Sequence, residues 1–160
     1  MNIENDNNVN GTSVEDIVAK YRPELQKLIP YLRWLKEHAK VDVAQTYSGN
    51  DLKSVPFPVY DSNLLAFVKA AQSTSLLDRN YVYVYSRNHL NNYKDELLFI
   101  EGAGIADMEE LSGILSKYIL KGMTKGSVWA EGVNNGVLYA VITKMDELIK
   151  LWGQEKLSKD

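Results

Sequence analysis

No cysteine occurs among the 160 residues. That removes disulfides, thiolate nucleophiles, Fe–S clusters and cysteine-type zinc sites in one step, and it suits a reducing cytoplasm. Histidine is nearly as scarce. His38 and His89 are the two present, and neither His-x-x-x-His nor Glu-x-x-His spacing occurs, so no metal or other cofactor is expected. No apolar run approaches the roughly 20 residues of a membrane-crossing helix. The 18 Lys and Arg are spread along the chain against 21 Asp and Glu, a balance of −3. Without clustered positive charge, nucleic-acid binding is not expected. The opening MNIENDNNVNG has no basic start and no apolar core, so it does not read as a signal peptide.

What is there is the composition of an ordinary soluble domain, 45% hydrophobic and 24% charged. One domain of this size buries roughly 70% of its unfolded surface and needs no staple to fold. The clearest pattern lies at the C-terminal end. Val137, Leu138, Val141, Ile142, Met145, Leu148, Ile149 and Trp152 fall on one stripe of a 3.6-residue helix. Met108, Leu111, Ile114, Leu115, Tyr118 and Ile119 repeat it upstream. There Asp107 and Glu110 suggest a capping box, and Gly122 suggests a left-handed stop. Between the two, KGMTKGSVWAEGVNNG reads as a turn, a short helix capped by Ser127, and a second turn. It lacks the Gly-Lys-Ser/Thr order of a phosphate loop.

Further upstream, residues 1–12 are Asn-rich and are expected to form a mobile tail. Ser13 is a natural N-cap for a helical run to about Lys40, broken near Pro23 or Pro30. VDVAQTY has the look of a short strand, and Pro56 to Tyr60 is held extended by Pro56 and Pro58. Asp61-Ser62 then caps a helix to about Gln72.

RNYVYVYSR, residues 79–87, is the most strand-like stretch, with Tyr81, Tyr83 and Tyr85 alternating with Val82 and Val84. Its partner would be Leu97–Ile100 or the 41–47 segment. In a rival reading, residues 91–100 form a short helix, and period alone does not separate the two. The expected fold is mostly α: a single helical bundle of about five helices over residues 13–152, with at most a two-stranded β element near residues 80–100. Residues 153–160 are expected to fray.

The order of LIPYLRWL, PFPVYDSNLLAFVKAA, a Tyr-rich segment and ADMEELSGILSKYILKGMTKGSVWAEGVNNGVLYAVITKMDEL resembles a small bacterial domain family of unknown function, over about residues 25–150. That resemblance implies a compact, mostly helical fold and no particular activity. Family members tend to carry Arg and Phe in the turn, where this chain has Lys121, Met123 and Thr124.

No constellation reads as catalytic. Ser127 lacks the strand-to-helix elbow of a hydrolase nucleophile. The pairs Asp95-Glu96, Glu109-Glu110 and Asp146-Glu147 are adjacent, and neighbours on a helix do not face one another. The candidate ligand site is the tyrosine row Tyr81, Tyr83 and Tyr85 between Arg79 and Arg87, which could stack a flat ligand while the arginines hold phosphate. Lys125, Trp129 and Glu131 would complete it from the glycine-rich turn. The competing reading is that the tyrosines pack over the helices with their hydroxyls reaching water. The functional expectation is a cytoplasmic bacterial or phage accessory protein that binds another protein or its own copy. The alternatives are a small-molecule binder for a nucleotide-like anion, and a hydrolase or transferase built on Ser127, His89 and Glu131.

Overall fold

A computed structural model describes residues 8–9, 12–39, 44–46 and 58–159, with side chains for residues 13–39 and 61–153. Among the described residues there are eight α-helices and two minimal antiparallel ladders. The first ladder joins β1 (Asn8–Val9) to β2 (Thr12–Ser13); the rest of the expected N-terminal tail lies outside the described residues. α1 (Val14–Gln26) follows, then a 3-10 turn at Ile29–Tyr31 and α2 (Leu32–His38). The second ladder pairs β3 (Ala44–Thr46) with β4 (Pro58–Tyr60), Gln45 opposite Val59. α3 (Ser62–Gln72), α4 (Tyr81–Arg87), α5 (Tyr93–Gly102), α6 (Met108–Gly122), α7 (Ser127–Asn134) and α8 (Val137–Lys159) complete the chain.

α6 is the centre. Leu111 to Ser116 are buried without a break, the signature of a helix covered on every side. It packs against α3, α4, α7 and α8, and α8 also packs against α1, α2 and α5. Leu138, Val141, Ile142 and Met145 are fully buried, so the C-terminal apolar stripe makes the interior as its spacing predicts. The helix continues to Lys159, through the segment expected to fray. Among the described residues no helix is long and apolar enough to cross a membrane.

Three local expectations hold. Ser13 accepts the Asp16 N–H at 3.1 Å and Asp61 accepts the Asn63 N–H at 2.7 Å, each as an N-cap. The break between α1 and α2 falls at Pro30, while Pro23 sits inside α1 on an exposed face, where its missing N–H forfeits one ladder bond without ending the helix.

Others are corrected. The β element is not at residues 80–100, where α4 and α5 stand; it lies at β3 and β4. β-propensity acts only where a partner strand exists, and Leu97–Ile100 is helical, so YVYVYSR has nothing to pair with. Coiled as α4, it turns Val84 into the core and leaves Val82 and Tyr83 exposed. Asp107 stands at the N-cap position of α6, but its side chain does not cap the helix: the carboxylate accepts the Gly104 N–H at 2.8 Å, closing the preceding 3-10 turn. Gly126, not Ser127, is the N-cap of α7. Gly122 is no left-handed stop either. It is the last residue of α6, buried against Trp129, and within this glycine-rich stretch the positive φ is at Gly136, φ +81°.

Candidate functional site

Small residues let α4 approach α6 closely. A Cβ on Gly113 would sit 2.6 Å from a Val84 methyl, so only glycine fits there. One turn on, the Ser116 hydroxyl donates to the Ser112 carbonyl at 2.6 Å and accepts the Asp78 N–H at 2.7 Å. That bond pins the loop before α4 to the central helix. Glu24 of α1 holds the same loop from the other side by accepting the Ser75 N–H at 2.7 Å. This bond, reinforced by Lys27, keeps the Glu24 carboxyl below its usual pKa.

The anchored loop, α1, α4 and α6 enclose a groove of about 420 Å³. Its floor is the buried set Tyr21, Leu76, Val84 and Ser112, and its rim carries Lys20, Ser75, Asn80, Tyr83, Arg87 and Glu109, all exposed. Asp78 lines one wall, with one oxygen taken by the Asn80 N–H at 2.8 Å. Arg87 is aimed by its neighbours: its Nη2 meets Glu110 Oε1 at 2.8 Å, and Asn88 holds the other oxygen of Glu110 at 2.6 Å. The Lys20 ammonium stands 5.2 Å from the Tyr21 ring centroid. Burial pushes the Tyr21 phenol above its ordinary pKa and the Glu109 charge adds to this, against a smaller opposing effect of Ser112. The Ser112 hydroxyl is buried beside the Tyr21 phenol and acts on it as a hydrogen-bonding neighbour.

A second polar cluster lies behind α4. Glu96 of α5 is 1% exposed. Tyr85 donates its hydroxyl to one oxygen and Tyr118 donates to the other at 2.6 Å. Lys117 Nζ is 3.7 Å from the carboxylate and 4.3 Å from the Tyr118 ring centroid, and Asn135 donates to the Tyr118 hydroxyl at 3.1 Å. Burial, then the facing carboxylate, drives both phenols well above the ordinary tyrosine pKa. With both oxygens of the carboxylate hydrogen-bonded by tyrosine hydroxyls, this cluster is a clamp tying α4, α5, α6 and the α7–α8 turn together.

Coiling the tyrosine row therefore splits it. Tyr83 and Arg87, one helical turn apart, reach the groove, while Tyr85 reaches the Glu96 clamp and Tyr81 packs edge-on against Tyr85. Arg79 is exposed in the loop and does not line the groove. Nor do Lys125, Trp129 and Glu131. Lys125 and Glu131 are exposed, and Trp129 donates its indole N–H to the Ile119 carbonyl at 2.9 Å. His89 and Ser127 are likewise outside the groove. Sequence reasoning missed Lys20, Tyr21, Asp78 and Ser112, which come from three separate segments. Glu96 carried a signal: on a helical reading of residues 91–100 it shares a stripe with Ile100.

No family model, curated protein or solved structure matches this chain. The motif likeness described above therefore leads to no characterised relative, in keeping with a family of unknown function, and the groove has to be read from its own chemistry.

Proposed function

We propose that this chain is a binding protein and that its ligand site is the groove between α1, α4 and α6. The observation that carries this reading is the open, polar groove itself, with Tyr21 and Ser112 on its floor and an Arg87 guanidinium tied to Glu110 at its rim. The volume is within the usual range for small-ligand sites. The Arg87 guanidinium, held by Glu110 and Asn88, is oriented in advance at the mouth. A cytoplasmic setting suits a chain without cysteine.

Ser112→Ala tests it. The substitution removes a buried hydroxyl beside Tyr21 and adds a better helix former, so urea unfolding should show the variant within about 1 kcal/mol of the wild type. In a thermal-shift screen of nucleotides, amino acids and sugars, ligands that raise the wild-type melting temperature should lose most of that effect on the variant. A panel without any shift, or shifts indifferent to Ser112, would dismiss the reading.

A second reading, binding to another protein or to a second copy of the chain, is favoured by Val82, Tyr83 and Leu98, which are 60%, 66% and 71% exposed. Trp152, at the end of the apolar stripe, packs partly against the core and adds little to such a surface. Sedimentation over a range of concentrations, repeated on Leu98→Lys, separates this reading from the first. A monomer at every concentration removes self-association.

A further inference from the structure

We infer that the ligand is a small zwitterion carrying both an ammonium and a carboxylate, a free amino acid or a short peptide. The inference rests on the groove being the ligand site and narrows what it takes. Two cations, Lys20 and Arg87, and two carboxylates, Asp78 and Glu109, share the lining, a formal charge of zero, and Arg87 is already paired with Glu110 beside it. A nucleoside phosphate would enter a space that holds as many carboxylates as cations, and like charges in close approach are costly. A zwitterion matches both signs.

The charged groups also retain capacity. Arg87 spends one of its five N–H donors on Glu110. Among the described residues, Lys20 has no anionic partner and meets only the Tyr21 ring, and Glu109 forms no ion pair. Asp78 keeps one oxygen free of the Asn80 bond. Below them, Leu76 and Val84 give an apolar floor for an aliphatic or aromatic side chain, with the Ser112 hydroxyl beside it. In this arrangement the ligand carboxylate lies toward Arg87 and Lys20, its ammonium toward Asp78 and Glu109, and its side chain on the floor.

The test is titration calorimetry of the full chain with L-leucine, L-phenylalanine and the dipeptide Leu-Phe. Each is compared with its N-acetylated and its carboxyl-amidated form, and AMP serves as the anionic control. The expected result is that a free zwitterion binds and that blocking either end weakens it by at least about tenfold. Free amino acid against dipeptide decides which source of the zwitterion fits. Arg87→Gln should erase the preference for the free carboxylate over the amide and leave the preference for the free amine. Asp78→Asn should weaken the amine preference alone. Should either variant fail to fold, the blocked-ligand series on the wild type still decides. If AMP binds with Ser112-dependent affinity and no zwitterion does, the ligand class is wrong and the groove reading survives. If nothing binds, both are overturned, and equal affinity for free and blocked forms overturns the zwitterion alone.

Discussion

Replacing Glu96 by alanine should destabilise the fold by about 3–5 kcal/mol, the range seen when one partner of a buried charged network is removed. The substitution takes the acceptor from the Tyr85 and Tyr118 hydroxyls together and leaves Lys117 without its carboxylate. Each phenol stranded in the interior costs about 1–3 kcal/mol, and the vacated volume adds a cavity term. Glu96→Gln keeps one carbonyl acceptor and should lose less, about 1–2 kcal/mol. Urea unfolding measures both. A loss under about 1 kcal/mol for the alanine variant would mean that the clamp does not form.

The same cluster sets the response to alkali. Tyr85 and Tyr118 are raised from an ordinary value of 10.0. The folded chain therefore keeps two protons that the unfolded chain releases above that pH. Because the unfolded state binds fewer protons there, stability is fully present below about pH 10 and falls above it, by about 1.4 kcal/mol per pH unit for each tyrosine. Tyrosinate absorbance followed alongside circular dichroism should show these two phenols ionising only as the chain unfolds. Phenols that titrate freely in a chain still folded would contradict the burial described here.

Gly122→Ala should destabilise the chain by about 1–3 kcal/mol, although helix propensity alone favours alanine at a helical position by about 1 kcal/mol. The added Cβ would lie 2.1 Å from Trp129 Cδ1 and 2.2 Å from its Nε1. The indole is tied to the Ile119 carbonyl, so moving the ring breaks a hydrogen bond as well as the packing of α7 on α6. Overpacking of this kind outweighs the propensity gain. The melting temperature should fall by several degrees, at roughly 2–4 °C per kcal/mol for a chain of this size, and tryptophan emission should shift to the red. A higher melting temperature would show that the ring has room to move.

These cases mark how much of the molecule was legible in one dimension. The helical class and the C-terminal stripe of Val137 to Ile149 were fixed by spacing, because a 3.6-residue apolar repeat has few ways to be buried except as a helix face against a core. The caps at Ser13 and Asp61 and the break at Pro30 were local chemistry, complete within a few residues. YVYVYSR was misread because strand propensity is a statement about neighbours, and its neighbours turned out to be Gly113, Glu110 and Glu96 rather than another strand. Gly122 was misread for the same reason: what it makes room for is an indole seven residues away.

The candidate site lay still further from view. Tyr83 and Arg87 could be picked out as an aromatic beside a cation, but Lys20, Asp78, Glu109 and Ser112 reach the same groove only after α1, the α3–α4 loop and α6 have packed. Sequence alone determined that residues 137–152 would coil and supply the interior, since that depends on the periodicity of one segment. Which polar groups would be left facing a common space was decided by tertiary packing, because that depends on distances between residues that the chain order keeps apart.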